Sequence, residues 1–508
     1  MGKYPNYIKD DFFKKMERDG LALTYDEVRL KTGYSIASPS EVSLGSWFSR
    51  NIPLKSPIVS AAMDKVTEHK MAIAMAMCGG IGILHGGMSA ERQASQVARV
   101  KRHLNGVIEN PICVREEENV KDVLDKCAKK GFTFRSFPVI GVNGVLVGVL
   151  TSTDLDLCSD CSTAKVRDIM TKGNLVTAPP NTTIRDAYTL MKEARKKVLP
   201  LIDDGGRIKG MYVLSDSQRI LFGSNESALY NVDANGRLRV GAGVSDGGEE
   251  ELKRVELLVG EGVDVLVVET AHADTPHMVK TIQCIRARFP DVDLVSGNIS
   301  EPDSAKRLAD LGVDGIKVGQ GPGATCTTRI VAGVGCPQAT AVYNCCKALR
   351  GFEIPVCADG GIRYSGDIPI ALGLGADSVM IGTMLAGTDE SPGEVREYRG
   401  IRVKEVRGMG SPKAMAASKA ARDRYRTEKD GSVPEGGEGY VVHRGSLASL
   451  LHQLVGGLRK GMGYVGAESI EELQAKADFH RLSMAGIAES HPHDMVLTEN
   501  LPNYWRDA

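Results

Sequence analysis

Eight short apolar runs, at 56–63, 80–85, 238–244, 263–270, 292–299, 313–319, 354–361 and 376–383, recur along the chain with helix-periodic stretches between them. Most are continuous Val/Ile/Leu runs rather than alternating ones, the pattern of strands covered on both faces. Between residues 263 and 383 they follow one another about every 20 to 40 residues, the length of a βα unit. Eight such units are what a closed parallel barrel needs, so the predicted architecture is α/β, a (β/α)8 barrel. An open doubly wound sheet would require a switch-point GxGxxG leading into a helix, and the glycine-rich loop at 319–323 does not continue that way. Glycine at 57 residues and aromatics at 5% suit short strands that end in glycine-rich loops.

A chain of 508 residues is too long for one ordinary core, so two or three domains are expected. The net charge of −1 favours neither nucleic acid nor a membrane surface as partner. No uninterrupted apolar run approaches the roughly 20 residues that cross a bilayer, and no apolar N-terminal segment reads as a signal peptide. Eleven cysteines without framework spacing point to reduced thiols and a cytoplasmic setting. Cys158 and Cys161 form a CxxC, but no second CxxC or HxxxH supplies the rest of a zinc site, so a pair of incidental thiols is expected there.

The most chemically loaded stretch is KVGQGPGATCTTR at 317–329. Gly319, Gly321 and Gly323 leave the backbone free to take positive φ and to approach a ligand closely, with Pro322 stiffening the turn. The apolar run at 313–318 places Cys326 just past the carboxyl end of a buried strand, where α/β enzymes keep their chemistry. Local sequence leaves two roles open for Cys326, nucleophile or small buried hydrophobe.

Residues from about 107 to 228 interrupt the barrel and contain a repeat. Pro138, Gly148 and Asp154 recur at Pro200, Gly210 and Asp216, each displaced by 62 residues. A helix-like stretch precedes each copy, giving a module that buries its open face against its twin. The region resembles a tandem pair of CBS domains, copies at about 107–165 and 166–228, which implies adenine or guanine nucleotides in the clefts between repeats. Thr151 and Asp154 fit that family's ribose-binding S/T-x-x-D pattern; the second copy has Val213 before Asp216 and fits only in part.

The whole chain resembles the inosine 5'-monophosphate (IMP) dehydrogenase family. The likeness is carried by VSAAMDKVTE (59–68), GGIGILHGGMS (79–89), the cysteine loop, GVGCPQATAV (333–342) and CADGGIRYSGD (357–367). It continues through MIGTMLAGTDESPGE (380–394), RGMGSPKAM (407–415) and ESHPHD (489–494), and PEGGEG and LVGGLRKGMGY bring it closer to the bacterial form. The resemblance implies a catalytic barrel in two parts, 1–106 and 229–508, with a mobile flap at about 398–445. It implies NAD-dependent oxidation of IMP to xanthosine monophosphate (XMP), the committed step of guanine nucleotide synthesis. Cys326 becomes the nucleophile, Arg424 the base that activates water, Tyr425 its partner, and Thr328 a group that positions the water. Arginine is a poor base in water because its pKa exceeds about 12, so that role rests on the resemblance alone. For IMP, Asp359 would hold the ribose, and Ala324, Gly360, Gly361, Gly382 and Thr383 the 5'-phosphate. Val406, Arg407, Gly408, Met409, Gly410 and Glu435 would line the base. Glu269, Gly319, Gln320 and Gly321 would meet NAD. Backbone carbonyls of Gly321, Gly323 and Cys326 would bind potassium, completed by Glu489, Ser490 and His491 of a neighbour in a homotetramer or octamer.

Several positions depart from the family pattern. Glu269 stands where an aspartate usually begins the D-[ST]-A-H-G segment, and Ala273 replaces its glycine. Ala324 and Thr383 replace phosphate-site serines and Val406 a tyrosine. Two hydroxyl donors are missing at about 1.5–3 kcal/mol each, so weaker 5'-phosphate binding is expected unless another residue compensates. Two other functions fit the same motifs: GMP reductase, the sister enzyme that reduces GMP with NADPH, and a catalytically drifted nucleotide sensor.

Overall fold

The computed structural model describes residues 10–35, 38–104, 107–108, 111–130, 136–222, 229–245, 248–425, 433–495, 497–498 and 501–504. All eight expected runs contain a strand: β1 (Ile58–Ser60), β2 (Ile81–Leu84), β3 (Gly241–Val244), β4 (Val265–Glu269), β5 (Asp293–Ile299), β6 (Gly315–Val318), β7 (Val356–Asp359) and β8 (Ser378–Ile381). They pair in parallel and close into one barrel, β8 joining β1 through Met380 and Val59, and β2 joining β3 through Leu84 and Ala242. Inward side chains such as Val59, Ile83, Val265, Val267, Val295, Cys357 and Met380 fill the barrel as one buried cluster. The alternate residues, Ile58, Leu266, Leu294 and Ile316, are equally buried on the other face. Burial on both faces is why the runs are continuous rather than alternating.

An antiparallel hairpin, Ser46–Ser49 with Ile52–Leu54, closes the amino end of the barrel. Phe48, fully buried, joins the interior cluster there. Asp293 at the start of β5 clamps the turn through Ser49 Oγ (2.5 Å) and the backbone and side-chain amides of Asn51 (3.0 and 2.8 Å). With that end plugged, the carboxyl ends of the strands form the free rim.

The chain divides into two compact units, residues 1–101 with 229–508, and residues 102–228. In the second unit the duplication is visible in strand register. Phe137–Ile140 pairs with Leu146–Leu150 through Pro138 and Val149, and Val198–Ile202 pairs with Ile208–Val213 through Pro200 and Met211. The copies differ in their third strand: Val114–Arg115 runs parallel to the first hairpin, while Val107–Ile108, earlier in the chain, pairs antiparallel with the second. Thr151 caps the helix Ser152–Asp156 in a reciprocal box with Asp154, whose carboxylate also receives Thr171 Oγ1. Cys161 packs against the buried cluster around Phe137 and Leu150, and among the described residues no three His, Cys, Asp or Glu side chains gather as metal ligands.

In the first unit a three-stranded antiparallel sheet (Arg396–Tyr398, Ile401–Arg407, Glu438–Val442) leads into helices Pro412–Ala417 and Lys419–Tyr425. Residues 426–432 of the expected flap lie outside the described residues. Among the described residues, no helix is long and apolar enough to cross a membrane.

Because Phe48 plugs the barrel from below, Phe48→Ala is expected to cost about 3–5 kcal/mol of stability. Chemical denaturation measures the loss; a change below about 1 kcal/mol would mean that the hairpin is not part of the core.

Candidate functional site

The site forms at the carboxyl rim, where β6 ends and the cysteine loop begins. Gly319 has φ of +154° and Gly321 of +83°, and a Cβ on Gly319 would lie 2.1 Å from the Asp359 carbonyl oxygen. Gly319 is required by conformation and by close approach of β7, and Gly321 by conformation and by the Arg329 side chain, whose Cγ would lie 2.5 Å from a Cβ there. Gly323 does not use that freedom: its carbonyl accepts the amide N–H of Cys326 at 2.9 Å, and a tight turn without positive φ suffices there. Arg329 donates from Nε to the Gln320 carbonyl (3.0 Å) and braces the loop from behind.

Cys326 is half-buried, its Sγ 3.2 Å from Thr328 Oγ1. The loop is laced to the segment after the flap: Thr327 N–H donates to the Glu435 carbonyl (3.0 Å) and Gly437 N–H to that of Thr325 (2.8 Å). Gly408 N–H reaches the Gly437 carbonyl at 2.9 Å, and Glu435 N–H that of Gly410 at 3.1 Å. Cys326, Glu435, Gly408 and Met409 therefore share one wall of a single cavity.

The opposite wall is a buried charge cluster. Lys317, on β6, has a fully buried side chain; its Nζ is 2.6 Å from Asp359 Oδ2 and 3.5 Å from Glu269 Oε1, and it also donates to Asn298 Oδ1. Asn298 Nδ2 donates to the Gly319 carbonyl (2.6 Å) and to Asp359 Oδ2 (3.1 Å). Arg424 pairs through Nη1 with Glu269 Oε2, and its carbonyl accepts the Ala271 N–H at 3.1 Å. Burial pushes the Glu269 carboxyl up, but Lys317 and Arg424 outweigh it and leave the group below its usual range. The Lys317 ammonium and the Arg424 guanidinium are correspondingly held above theirs by the carboxylates. In this arrangement Arg424 is a cation. Tyr425, its hydroxyl raised by burial, packs on Gly410 and on the cluster of Met409, Ala414 and Ala421.

The cavity thus brings together Cys326, Asp359, Gly360, Gly408, Met409 and Glu435, and on its other side Glu269, Gly319, Gly321, Gly323, Arg424 and Tyr425. Other expected residues do not line it. Gln320 turns away to Ser300 Oγ (2.7 Å) and the Ala271 carbonyl (3.1 Å). Val406 is buried in the flap sheet opposite Gly439, and Arg407 is engaged by Asp64 (2.8 Å from Nε). Ala324, Gly361, Gly382 and Thr383 lie outside the lining, Thr383 opening the short helix Thr383–Ala386. Glu489 ends helix Met484–Glu489, and His491 bonds to Tyr504 at 3.0 Å beside the Tyr364 ring.

Sequence reasoning assigned no role to Lys317, Asn298 or Asp64. A signal existed for Lys317, a lone charge inside an otherwise apolar strand.

Comparison with known proteins places this geometry. The profile described as IMP dehydrogenase / GMP reductase domain matches residues 22–493. An inosine-5'-monophosphate dehydrogenase of Aquifex aeolicus is 47% identical over 487 residues, covering 96% of this chain and 98% of its own. That of Bacillus subtilis is 42% identical over 493 residues, covering 96% and 99%. A solved structure of GMP reductase from Trypanosoma brucei in complex with guanosine 5'-monophosphate matches with a TM-score of 0.85 and 37% identity, covering 94% of this chain and 100% of that one.

Lys317→Met would leave Asp359 and Glu269 sharing one cation, a loss of about 3–5 kcal/mol for breaking a buried pair. Without the ammonium, burial of Glu269 is opposed by Arg424 alone and its carboxyl rises toward and above the unfolded range of about 4.3, so the folded variant holds a proton that the unfolded chain releases. The penalty then grows as pH rises through and above that range. Denaturation at pH 5 and pH 8 should show the variant's deficit larger at pH 8; an equal deficit would mean that Lys317 acts by packing.

Proposed function

The chain belongs to the IMP dehydrogenase / GMP reductase family, and from that premise we infer that it is an NAD-dependent IMP dehydrogenase. The observation that carries this reading is the seating of Arg424 and Tyr425 against the pocket of Cys326, since only a reaction ending in hydrolysis needs a water-handling pair there. Identity of 41–47% to IMP dehydrogenases over 95–96% of the chain supports the same conclusion.

In this reading Cys326 Sγ adds to C2 of the purine and the thiol proton goes to N3. The C2–H bond then breaks with its electron pair, the N3 proton is released, and a thioimidate remains on Cys326. Water cleaves the C–S bond, giving XMP and regenerating the thiol. Asp359 receives the ribose hydroxyls, and Lys317 and Asn298 orient its carboxylate. Thr328, 3.2 Å from Sγ, positions the water. As base, Arg424 must first shed a proton that its pairing with the Glu269 carboxylate stabilises, so it must leave that pair before it can act.

NAD, when bound, supplies the hydride acceptor. The residues present fit it: Glu269 lines the cavity, and its Oε1 is buried without a hydrogen bond and can accept a ribose hydroxyl. We also assign potassium to the carbonyls of Gly321, Gly323 and Cys326, completed by Glu489, Ser490 and His491 of a neighbour in a homotetramer or octamer. Residues 102–228 are assigned as the tandem CBS pair, with Thr151 and Asp154 at an adenine- or guanine-nucleotide cleft; the repeated hairpin register supports the duplication. The likeness to a GMP reductase along 94% of the chain favours a second reading, reductive deamination of GMP with NADPH.

Purified protein with IMP, NAD and potassium should release NADH, read at 340 nm, and Cys326→Ala should abolish it. NADPH consumption with GMP and none of the first activity would move the protein to the reductase. Arg424→Ala should lower steady-state turnover by about 10²–10⁴-fold while a single-turnover burst of NADH survives. Loss of the burst as well would place Arg424 before hydride transfer.

A further inference from the structure

Cys158 and Cys161 stand just past helix Ser152–Asp156, within residues 102–228, and the chemistry of the barrel uses neither. The chain folds back between them, so that Cys161 Sγ lies 3.8 Å from the Cys158 carbonyl oxygen. The thiols also meet, since hydrogen bonding with Cys158 is the largest of the effects that raise the Cys161 thiol above its ordinary range. Both residues are half-buried, while Leu157, Ser159 and Asp160 beside them are exposed. Among the described residues no third His, Cys, Asp or Glu joins them as a metal ligand. Two thiols within reach of each other and of solvent share one chemistry, closure to a disulfide.

The two cysteines are not held alike. Cys161 packs against the cluster around Phe137 and Leu150, and the segment after it is laced down. The Asp160 carboxylate accepts the Ser162 N–H (3.0 Å) and Thr163 Oγ1 (2.7 Å), and the Ala164 carbonyl accepts the Val120 N–H at 3.0 Å. Cys158 does not belong to that cluster, and its N–H reaches the Leu155 carbonyl over a long 3.4 Å. When the sulfurs close to a bond of about 2.05 Å, Cys158 is therefore the one that moves. Its movement pulls on the end of a helix of 5 residues, which carries Asp154 in its first turn.

We propose that Cys158 and Cys161 form a redox dithiol whose disulfide loosens the adjoining Thr151–Asp154 cap and weakens nucleotide binding there; the nucleotide part rests on the CBS reading of residues 102–228. The oxidant is a low-molecular-weight disulfide. Cys158, outside the apolar cluster, attacks one of its sulfurs as thiolate, and the first small thiol leaves with the proton that Cys158 gave up. Cys161 then loses its proton and attacks the Cys158 sulfur of the mixed disulfide, expelling the second small thiol. Two electrons and two protons pass from the protein to the small disulfide, which becomes two thiols. The cap that this disturbs is a reciprocal one: Thr151 N–H and Oγ1 donate to Asp154 Oδ2 at 2.8 and 2.7 Å, and Asp154 N–H donates to Thr151 Oγ1 at 3.2 Å. Only Leu155 and Asp156 separate that box from the end of the helix, so unwinding at Cys158 reaches the cap at once.

The test equilibrates the full chain with oxidised and reduced glutathione, traps free thiols by alkylation and reads the tryptic peptide 136–165, whose only cysteines are this pair. The wild-type peptide should be closed, lighter by two hydrogens, with glutathione adducts at least about tenfold less abundant; Cys158→Ser and Cys161→Ser should each retain an adduct. Hydrogen exchange over residues 151–157 should be at least about threefold faster in the oxidised protein. By calorimetric titration, whichever of ATP and GTP binds reduced wild type should bind the oxidised form at least about fivefold more weakly, and Cys158→Ser with one affinity under both treatments. An open or glutathione-capped wild-type peptide overturns the proposal, as does unchanged exchange or unchanged nucleotide affinity on oxidation. Failure of the CBS reading is separable: reduced protein would then bind neither ATP nor GTP, while the closed peptide with faster exchange would still support the dithiol, and the absence of either would sink it.

Discussion

A parallel sheet must cover both faces and leave no edge unpaired, and closing eight strands on themselves satisfies both demands at once. Everything chemical in the molecule depends on that closure. Parallel strands all finish at one rim, and the hairpin carrying Phe48 seals the other end, so polar groups that cannot lie in the apolar interior collect where the strands end. Glu269 ends β4, Asn298 lies near the end of β5, Lys317 near the end of β6, and Asp359 ends β7. Four adjacent strands thus deliver four polar side chains to one wall without any loop having to be ordered for the purpose. The cysteine loop then has only to fold back over that wall, and two glycines, Gly319 and Gly321, make the fold-back sterically possible.

Lys317 shows how local cost and local function meet. A fully buried ammonium is unfavourable on its own, and a hydrophobic residue at that point of β6 would pack more cheaply. What keeps the charge in place is the pair of carboxylates at the ends of β4 and β7, and Lys317 together with Arg424 outweighs burial to hold the Glu269 carboxyl below its usual range. The cluster is mutually dependent, so its members are held in position far more tightly than a surface pair would be. Asp359 is oriented by two donors, Lys317 and Asn298, both mounted on barrel strands. A carboxylate fixed in that way can hold a ribose without a further ordering cost on binding.

The eight strands were legible because strand burial on two faces writes a continuous apolar run, and the duplication because a 62-residue offset survives in Pro138, Gly148 and Asp154. The place of Cys326 beyond the carboxyl end of β6 was legible from the apolar run before its loop. What could not be read was pairing across distance. Arg407 looked available for a ligand until the fold set Asp64, 343 residues away in the chain, against its Nε. Val406 belonged to a motif but is buried in the sheet opposite Gly439 and does not line the cavity. Gly323 looked like its two neighbours, yet a turn closed by the Cys326 amide needs no left-handed residue there. The third strand of the second hairpin comes from Val107–Ile108, ahead of the first repeat, and no repeat pattern contains that exchange because it is a property of pairing and not of composition.

The distinction between the two branches of the family comes down to the step that comes after hydride chemistry at Cys326. A reductase expels ammonia and needs the covalent intermediate shielded from water. A dehydrogenase must admit one water and strip it of a proton. Arg424 lines the cavity, carries a positive charge, and sits against the Glu269 carboxylate. In the dehydrogenase reading, a guanidinium at this wall is a group that can hold hydroxide by charge. That pairing has no use in a reaction that excludes water, and the flap helix that delivers it is docked to the end of β4 by the Ala271 amide rather than hanging free. The same contact therefore argues for hydrolysis as the closing step and explains why a glutamate, one methylene longer than the aspartate of the family pattern, stands where the flap comes down.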